Sequence, residues 1–245
     1  MIPLVIVHGA NGAAREMAPL TGRLPGFVPN MIGHGGREIP ASLNIPAIAA
    51  DLLRQCDDAG IGMADWFGFS FGGLVALWIA AYHPERVRGI VTLVTKVDYD
   101  ARSIAHVTHL LDPERLADKP RGAELAETHA PQDWRELARV NARMFEGFRE
   151  RPPLGDAEIA RIRQPVLLMA GMEDPLVSGA ETSALARRLP NATTGLFAGS
   201  CHPIAQAPLD AIVRLTTAFL AAPEQQARAA RVKLTEFRWD GLGEH

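Results

Sequence analysis

Cysteine is almost absent from this 245-residue sequence, which contains only Cys56 and Cys201. Two cysteines are too few for the disulfide framework of a small secreted domain, and too few for a zinc site that lacks a nearby histidine pair. No glycine-rich nucleotide-binding pattern is present either. The sequence therefore predicts a protein without disulfide bonds, bound metal or organic cofactor.

Lysine is also scarce, since only Lys96, Lys119 and Lys233 occur, and the formal net charge is −3 at pH 7. A chain without basic excess lacks the electrostatic footprint of a protein that binds nucleic acid or an anionic membrane. Long apolar runs are missing too, because the run over residues 1–7 is too short for a signal-peptide core or a membrane span. We therefore expect a cytoplasmic protein whose partner is a small-molecule substrate, with no nucleic acid and no membrane.

Short apolar segments alternate with longer amphipathic segments along most of the chain. This alternation is typical of a mostly parallel sheet with helices on both faces, the α/β class. Helical periodicity is clear over residues 45–56 and again over Phe71–Tyr82. The predicted strands are Pro3–Val7, Gly26–Pro29, Trp66–Phe69, Gly89–Val94, Pro165–Ala170 and Thr193–Phe197.

The alternation stops between Val97 and Arg161, where only helical patterns occur, such as Pro131–Phe148. We interpret residues 97–161 as a helical cap inserted into an α/β core made of residues 1–96 and 162–223, with residues 224–245 as a C-terminal extension. Histidines and a tryptophan of the cap are expected to be mostly ordinary solvated side chains. They are His106, His109, His129 and Trp134.

Gly68-Phe69-Ser70-Phe71-Gly72 places a serine between an apolar strand and a helix rich in small residues. A serine on such a sharp turn takes a strained backbone conformation, and the residues two before and two after it must be small to avoid a clash. The helix N-terminus beneath Ser70 also offers backbone N–H groups to a developing oxyanion. The motif predicts that Ser70 is a catalytic nucleophile.

An acid and a histidine follow later strands in the order that a serine nucleophile of this type requires. Asp174 comes after the strand Pro165–Ala170, and His202 comes after the strand Thr193–Phe197. Because active sites of α/β sheets lie at the carboxyl ends of the strands, both side chains should lie on the same face of the sheet as Ser70. We predict a triad of Ser70, His202 as the base and Asp174 as its orienting acid, rather than the adjacent Glu173.

With these motifs, the sequence resembles the α/β-hydrolase family over nearly its whole length. Val7-His8-Gly9-Ala10 and Ile32-Gly33-His34-Gly35 complete the resemblance, although Asn30 precedes the second motif where the family usually has an aspartate. The resemblance implies that the backbone N–H groups of Ala10 and Phe71 form the oxyanion hole, and that His8 is structural.

Family members usually begin with a β-hairpin before the His-Gly strand, and this sequence has none before His8. The sheet is therefore expected to lack that hairpin. We expect the alternating segment Val232–Trp239 either to cover the exposed sheet edge or to contact a second subunit in a homodimer, because a bare edge invites aggregation.

The leading functional interpretation is a serine hydrolase that cleaves a carboxylic ester or similar acyl bond of a small-to-medium substrate through an acyl-enzyme. Carbon–carbon bond hydrolases, enol-lactonases and the menaquinone-pathway lyase share the fold and the triad, so they stay open as alternatives. A binding protein that has kept the fold without catalysis is an alternative from a different class.

Overall fold

A parallel β-sheet forms the centre of the computed structural model, which describes residues 2–199 and 201–221. Within the described residues the sheet has five strands in the order β1-β2-β3-β4-β5, and each neighbouring pair is parallel. This confirms the predicted α/β fold. The strands are β1 (Leu4–Val7), β2 (Ala64–Phe69), β3 (Val87–Leu93), β4 (Val166–Gly171) and β5 (Ala192–Phe197).

Helices cover both faces of the sheet. Successive side chains of a strand point to opposite faces, so the strands contribute to two apolar clusters, one on each face. Val5 and Trp66 pack into one buried apolar cluster, whereas Ile6 and Phe67 pack into the other. Helices α2 (Ile45–Asp58), α3 (Phe71–Tyr82) and α9 (Gly179–Arg188) contribute to the first cluster. Helices α1 (Ala18–Thr21) and α10 (Leu209–Ala221) contribute to the second.

Residues 101–161, all of them described, form helices between β3 and β4. They are α4 (Ala101–Leu111), α5 (Pro113–Leu116), α6 (Pro120–His129), α7 (Trp134–Gly147) and α8 (Asp156–Arg161). Helix α7 begins later than the predicted Pro131, because the side chain of Asp133 accepts a hydrogen bond from the Arg135 N–H at 2.9 Å and caps the helix there.

The prediction of a strand over Gly26–Pro29 is wrong, since this segment forms a single bridge to β1. The Ile6 N–H donates to the Phe27 carbonyl, and the Phe27 N–H donates to the Leu4 carbonyl, both at 2.8 Å. Pro25 and Pro29 lack the N–H that would extend the pairing in either direction. The segment therefore contacts the sheet edge at one residue.

The C-terminal extension 224–245, with its predicted strand Val232–Trp239, lies outside the described residues. Among the helices that are described, none combines the length and the apolar character needed to cross a membrane.

Candidate active site

Ser70 occupies the turn between β2 and α3, with φ 53° and ψ −118°. Positive φ is costly for a residue with a side chain, so the surrounding structure must hold it. The Ser70 N–H donates to the Leu93 carbonyl at 2.8 Å, and its carbonyl accepts from the Thr95 hydroxyl at 3.0 Å. These bonds fix the backbone of the predicted nucleophile from the neighbouring strand.

The glycines around Ser70 are required by close backbone contacts. A Cβ atom at Gly68 would lie 2.2 Å from the Cα of Gly73, and one at Gly72 would lie 2.4 Å from the carbonyl oxygen of Val7. Real Cβ atoms do not approach backbone so closely. The spacing that the sequence motif shows is therefore dictated by the tight packing of β1, β2 and α3 at this turn.

His202 and Asp174 form a hydrogen-bonded pair. The Nδ1 atom of His202 lies 2.9 Å from each carboxylate oxygen of Asp174. The Asp174 side chain is fully buried, whereas the His202 side chain retains 16% of its exposure. Because a carboxylate accepts, Nδ1–H is the donor, and this tautomer leaves Nε2 of neutral His202 able to accept a proton.

The Asp174 carboxylate is held ionised by its hydrogen bonds. Burial opposes ionisation, but donation from His202 and from the Leu176 and Val177 N–H groups brings the pKa of Asp174 below its ordinary value. The Cys201 N–H adds a further donor at 3.2 Å. Burial, followed by the charge of Asp174, raises the pKa of the Cys201 thiol to about 11, so this neighbour is a protonated thiol at neutral pH.

The predicted site residues meet at one cleft of about 1410 Å³. Ala10, Ser70, Phe71 and His202 all line it, and Asp174 lies behind His202. Helix α4 lies across the same cleft and contributes Arg102, His106 and His109. The cleft can thus admit a substrate to the hydroxyl of Ser70 with backbone amides beside it.

A match to the family model of the alpha/beta hydrolase fold covers residues 2–205. The chain belongs to the α/β-hydrolase family. The match includes both Ser70 and His202, so the turn at Ser70 and the histidine loop lie within the part of this α/β-hydrolase that the family model covers.

Curated relatives of this α/β-hydrolase include several hydrolases. The RutD protein of Stutzerimonas stutzeri, to which its name assigns carbamate hydrolysis provisionally, is 29% identical over 222 residues, 79% of this chain and 82% of the relative. The pimeloyl-[acyl-carrier protein] methyl ester esterase of Serratia marcescens is 27% identical over 89% of this chain and 94% of its own length. The esterase YbfF of Escherichia coli is 23% identical over 89% and 92% of the two chains.

Solved structures share the fold of this α/β-hydrolase. The enol-lactonase from Burkholderia xenovorans LB400 superposes with a TM-score of 0.71 at 20% identity, covering 90% of this chain and 92% of that one. A thermophilic esterase from Thermogutta terrifontis gives a TM-score of 0.73 at 20% identity, with 91% of each chain covered. At this level of identity the likeness concerns the fold alone.

A row of buried histidines lies behind the Ala10 loop of this α/β-hydrolase, and sequence reasoning missed its member His129. His129 and Trp134 are buried, contrary to the expectation that these side chains are solvated, whereas His106 and His109 are exposed. The ring centroids of His8 and His34 lie 5.2 Å apart, and those of His34 and His129 lie 6.0 Å apart. No motif around His129 indicates this position.

Each of these histidines is neutral, because one ring nitrogen donates and the other accepts. His8 Nδ1 donates to the Gly9 carbonyl at 2.9 Å, and its Nε2 accepts from the Met31 N–H at 3.2 Å. Burial lowers the pKa of His8 to about 4. Burial, together with His8, lowers the pKa of His34. Burial and the charge of Arg121 lower the pKa of His129. A proton added to any ring would oppose an existing donor.

We expect acid to destabilise the fold between about pH 6.5 and about pH 4. A histidine near pKa 6.5 in the unfolded chain takes up a proton there before it does so in the folded protein. The free energy of unfolding therefore falls as the pH drops through 6.5, until the folded pKa is reached. For His8, whose pKa falls from 6.5 to about 4, the loss amounts to about 3 kcal/mol.

Urea titrations across this pH range measure the effect. His129→Gln should remove the part of the pH dependence that His129 contributes, and the matched change at the exposed His109 should leave the pH dependence intact. A free energy of unfolding that stays constant down to about pH 4.5 would contradict neutral buried histidines.

Proposed function

We propose that this α/β-hydrolase is a serine hydrolase that cleaves a carboxylic ester of a small-to-medium substrate through an acyl-enzyme. The observation that carries the proposal is the strained Ser70, which lines one cleft with His202 while His202 is hydrogen-bonded to the buried Asp174. This arrangement supplies a nucleophile, a base and an acid that orients the base.

In the proposed acylation step, the Ser70 Oγ attacks the ester carbonyl carbon while Nε2 of His202 takes the hydroxyl proton. Asp174 stabilises the imidazolium through Nδ1–H. The oxyanion lies between the N–H groups of Ala10 and Phe71, whose residues line the cleft beside Ser70. Collapse of the tetrahedral intermediate breaks the bond to the alcohol, which leaves with the proton from His202.

In the proposed deacylation step, His202 takes a proton from water as that water attacks the acyl carbon. The second tetrahedral intermediate breaks the bond to Ser70, and the proton returns to the serine oxygen. The acid product leaves, and the enzyme is restored. Each proton thus moves through Nε2, the ring nitrogen of His202 that does not contact Asp174.

The α4–α8 segment supports the further proposal that residues 97–161 act as a cap. Helix α4 forms part of the cleft wall through Arg102 and His106. The charges that line the cleft are largely paired, as in the contact of Lys96 with Glu181 and of Arg121 with Glu16. A cleft with balanced charge suits a neutral ester.

A carbamate is the second candidate substrate, because the RutD relatives carry that activity in their names. A carbamate presents the same kind of carbonyl carbon to Ser70, but its attached nitrogen makes that carbon less electrophilic. The two candidates therefore differ in rate of acylation rather than in the residues required.

A panel of nitrophenyl esters of increasing acyl length, with a nitrophenyl carbamate beside them, tests the proposal. We expect turnover of the esters, labelling of Ser70 by a fluorophosphonate, and slower turnover of the carbamate. Labelling without ester turnover would instead favour a specialised lactonase, carbon–carbon hydrolase or lyase. Absence of both turnover and labelling would favour a non-catalytic binding protein.

A further inference from the structure

Two side chains of the α4–α8 segment hold the loop that carries Ala10. His129 ends α6, and Asn141 lies in the middle of α7; both are fully buried. His129 Nε2 donates to the Asn11 carbonyl at 3.1 Å, while its Nδ1 accepts from the Gly35 N–H at 3.0 Å. Asn141 Nδ2 donates to the Asn11 Oδ1 at 2.6 Å. Asn11 is thus held through its backbone and its side chain.

Asn11 has a left-handed backbone, with φ 51°. This conformation is disfavoured for residues with a side chain, and asparagine tolerates it better than most. The Gly12 N–H donates to the Gly9 carbonyl at 3.1 Å, which closes a tight turn over residues 9–12. The left-handed Asn11 lies at the third position of that turn, where positive φ directs the next N–H back to the first carbonyl.

The direction of the Ala10 N–H follows from that closure. The Gly9 carbonyl and the Ala10 N–H belong to one planar trans peptide, so they point in opposite directions. The Gly9 carbonyl accepts hydrogen bonds from the Gly12 N–H at 3.1 Å and from His8 Nδ1 at 2.9 Å. These bonds fix the plane of the peptide, so the Ala10 N–H points away from Gly12 and His8 Nδ1. Any change that rotates Asn11 loosens the Gly12 contact and lets the Gly9–Ala10 peptide turn.

Helix α6 is tied to the same stretch of chain at its other end. Arg121, near its start, contacts Glu16 at 2.7 Å, within the short 3₁₀ turn Ala14–Met17 that follows the loop. Helix α6 therefore runs along residues 11–16, with His129 at one end and Arg121 at the other. The position of α6 and the conformation of the loop depend on each other.

We propose that His129 is a positioning residue for the oxyanion donor Ala10, acting through Asn11, with Asn141 as its partner. The proposal rests on the proposed function, which assigns the Ala10 N–H to the oxyanion. His129 does not line the cleft. His129 fixes the direction of the Ala10 N–H through its contact with Asn11. Because His129 belongs to α6, it also links the position of the α4–α8 segment to the rate of acylation.

Two amide substitutions separate the contacts of His129. In His129→Gln, the amide nitrogen can take the place of Nε2 and donate to the Asn11 carbonyl, whereas the bond from Gly35 is lost. In His129→Asn, the shorter amide oxygen can take the place of Nδ1 and accept from Gly35, whereas the bond to Asn11 is lost. Both variants remove the ring and keep an amide, so they are matched controls for each other.

We expect His129→Asn to lower kcat for a nitrophenyl ester by about 10- to 100-fold, with little change in KM, because a small misplacement acts on the transition state. His129→Gln should keep most of the wild-type kcat. A purely structural role for His129 predicts that the two variants lose activity together, in step with their melting temperatures. Equal kcat values for the two folded variants, or a lower value for His129→Gln, would overturn the proposal.

Backbone NMR provides a readout that does not require turnover. The Ala10 amide resonance and its hydrogen-exchange rate should resemble the wild type in His129→Gln and change in His129→Asn. An Ala10 signal that is unaffected in both variants would refute positioning even if the wild type is active. Conversely, absence of Ser70-dependent turnover would refute the proposed function, while the Ala10 signal still decides whether His129 holds the loop.

If neither His129 variant folds, Asn11→Gly tests the part of the proposal that assigns Asn141, since the bond from His129 to the backbone carbonyl of residue 11 does not need the asparagine side chain. Glycine adopts positive φ freely but cannot accept from Asn141. The proposal expects a lower kcat and faster exchange of the Ala10 N–H. An unchanged kcat in this variant would contradict the role assigned to Asn141.

Discussion

Replacing Ser70 with alanine should abolish ester hydrolysis, lowering kcat by about a million-fold. Alanine lacks the oxygen that forms the acyl-enzyme, so only the cleft and the oxyanion donors remain to accelerate attack by water. Loss of fluorophosphonate labelling should accompany the loss of turnover. The measurement is single-turnover and steady-state hydrolysis of the best nitrophenyl ester found with the wild type.

The fold should tolerate this change. The Ser70 side chain makes no capping hydrogen bond to α3, and the backbone bonds to Leu93 and Thr95 do not involve its hydroxyl. Ser183→Ala is the matched control, because this serine lies in α9 and its hydroxyl donates to the Gly179 carbonyl of its own helix. Near-wild-type turnover in the Ser70 variant would mean that another group performs the reaction.

Replacing Asp174 with asparagine should lower kcat by about ten-thousand-fold, the magnitude typical of losing the carboxylate of such a triad. Asp174 accepts from His202 and from the N–H groups of Leu176, Val177 and Cys201. An amide has one acceptor oxygen where the carboxylate has two, so it cannot satisfy all of these donors. Its NH₂ group also favours the His202 tautomer whose accepting nitrogen is Nδ1, and this tautomer cannot take the Ser70 proton.

The adjacent Glu173 offers a matched control for this variant. Glu173→Gln makes the same chemical change one residue away on an exposed side chain. We expect its kcat to stay near the wild-type value, and a pH–rate profile of all three proteins should show an altered profile only for Asp174→Asn. A larger loss of kcat in the Glu173 variant would show that Glu173, and not Asp174, is the acid that orients His202.

The turn at Ser70 was predictable because its requirements are local. Gly68 and Gly72 stand beside the serine in the sequence. A Cβ atom at Gly68 would meet Gly73 in the same turn, whereas one at Gly72 would meet Val7 of the neighbouring strand β1. The order of Asp174 and His202 was equally readable, since each residue follows an apolar strand. Their hydrogen bond at 2.9 Å is a consequence of β4 and β5 being neighbours in the sheet.

Other features depended on distant partners. Gly26–Pro29 has the composition of a strand, but it makes a single bridge because Pro25 and Pro29 limit its pairing with β1. His129 stands in a polar stretch of α6 that reads as solvated. It is buried because α6 packs against the loop at Asn11, which is 118 residues away in the chain.

The sequence by itself thus determined the α/β class, the serine turn and the order of the acid and the histidine. Each of these is encoded by periodicity or by residues within one turn of chain, where short-range sterics leave few alternatives. Only the tertiary structure decided that His129 and Asn141 reach Asn11, and that three histidines are buried and neutral. Those contacts join segments that are far apart in the sequence, and no local pattern in either segment predicts the other. The packing of α6 and α7 on the loop at Asn11 depends on the whole sheet and its helices being in place.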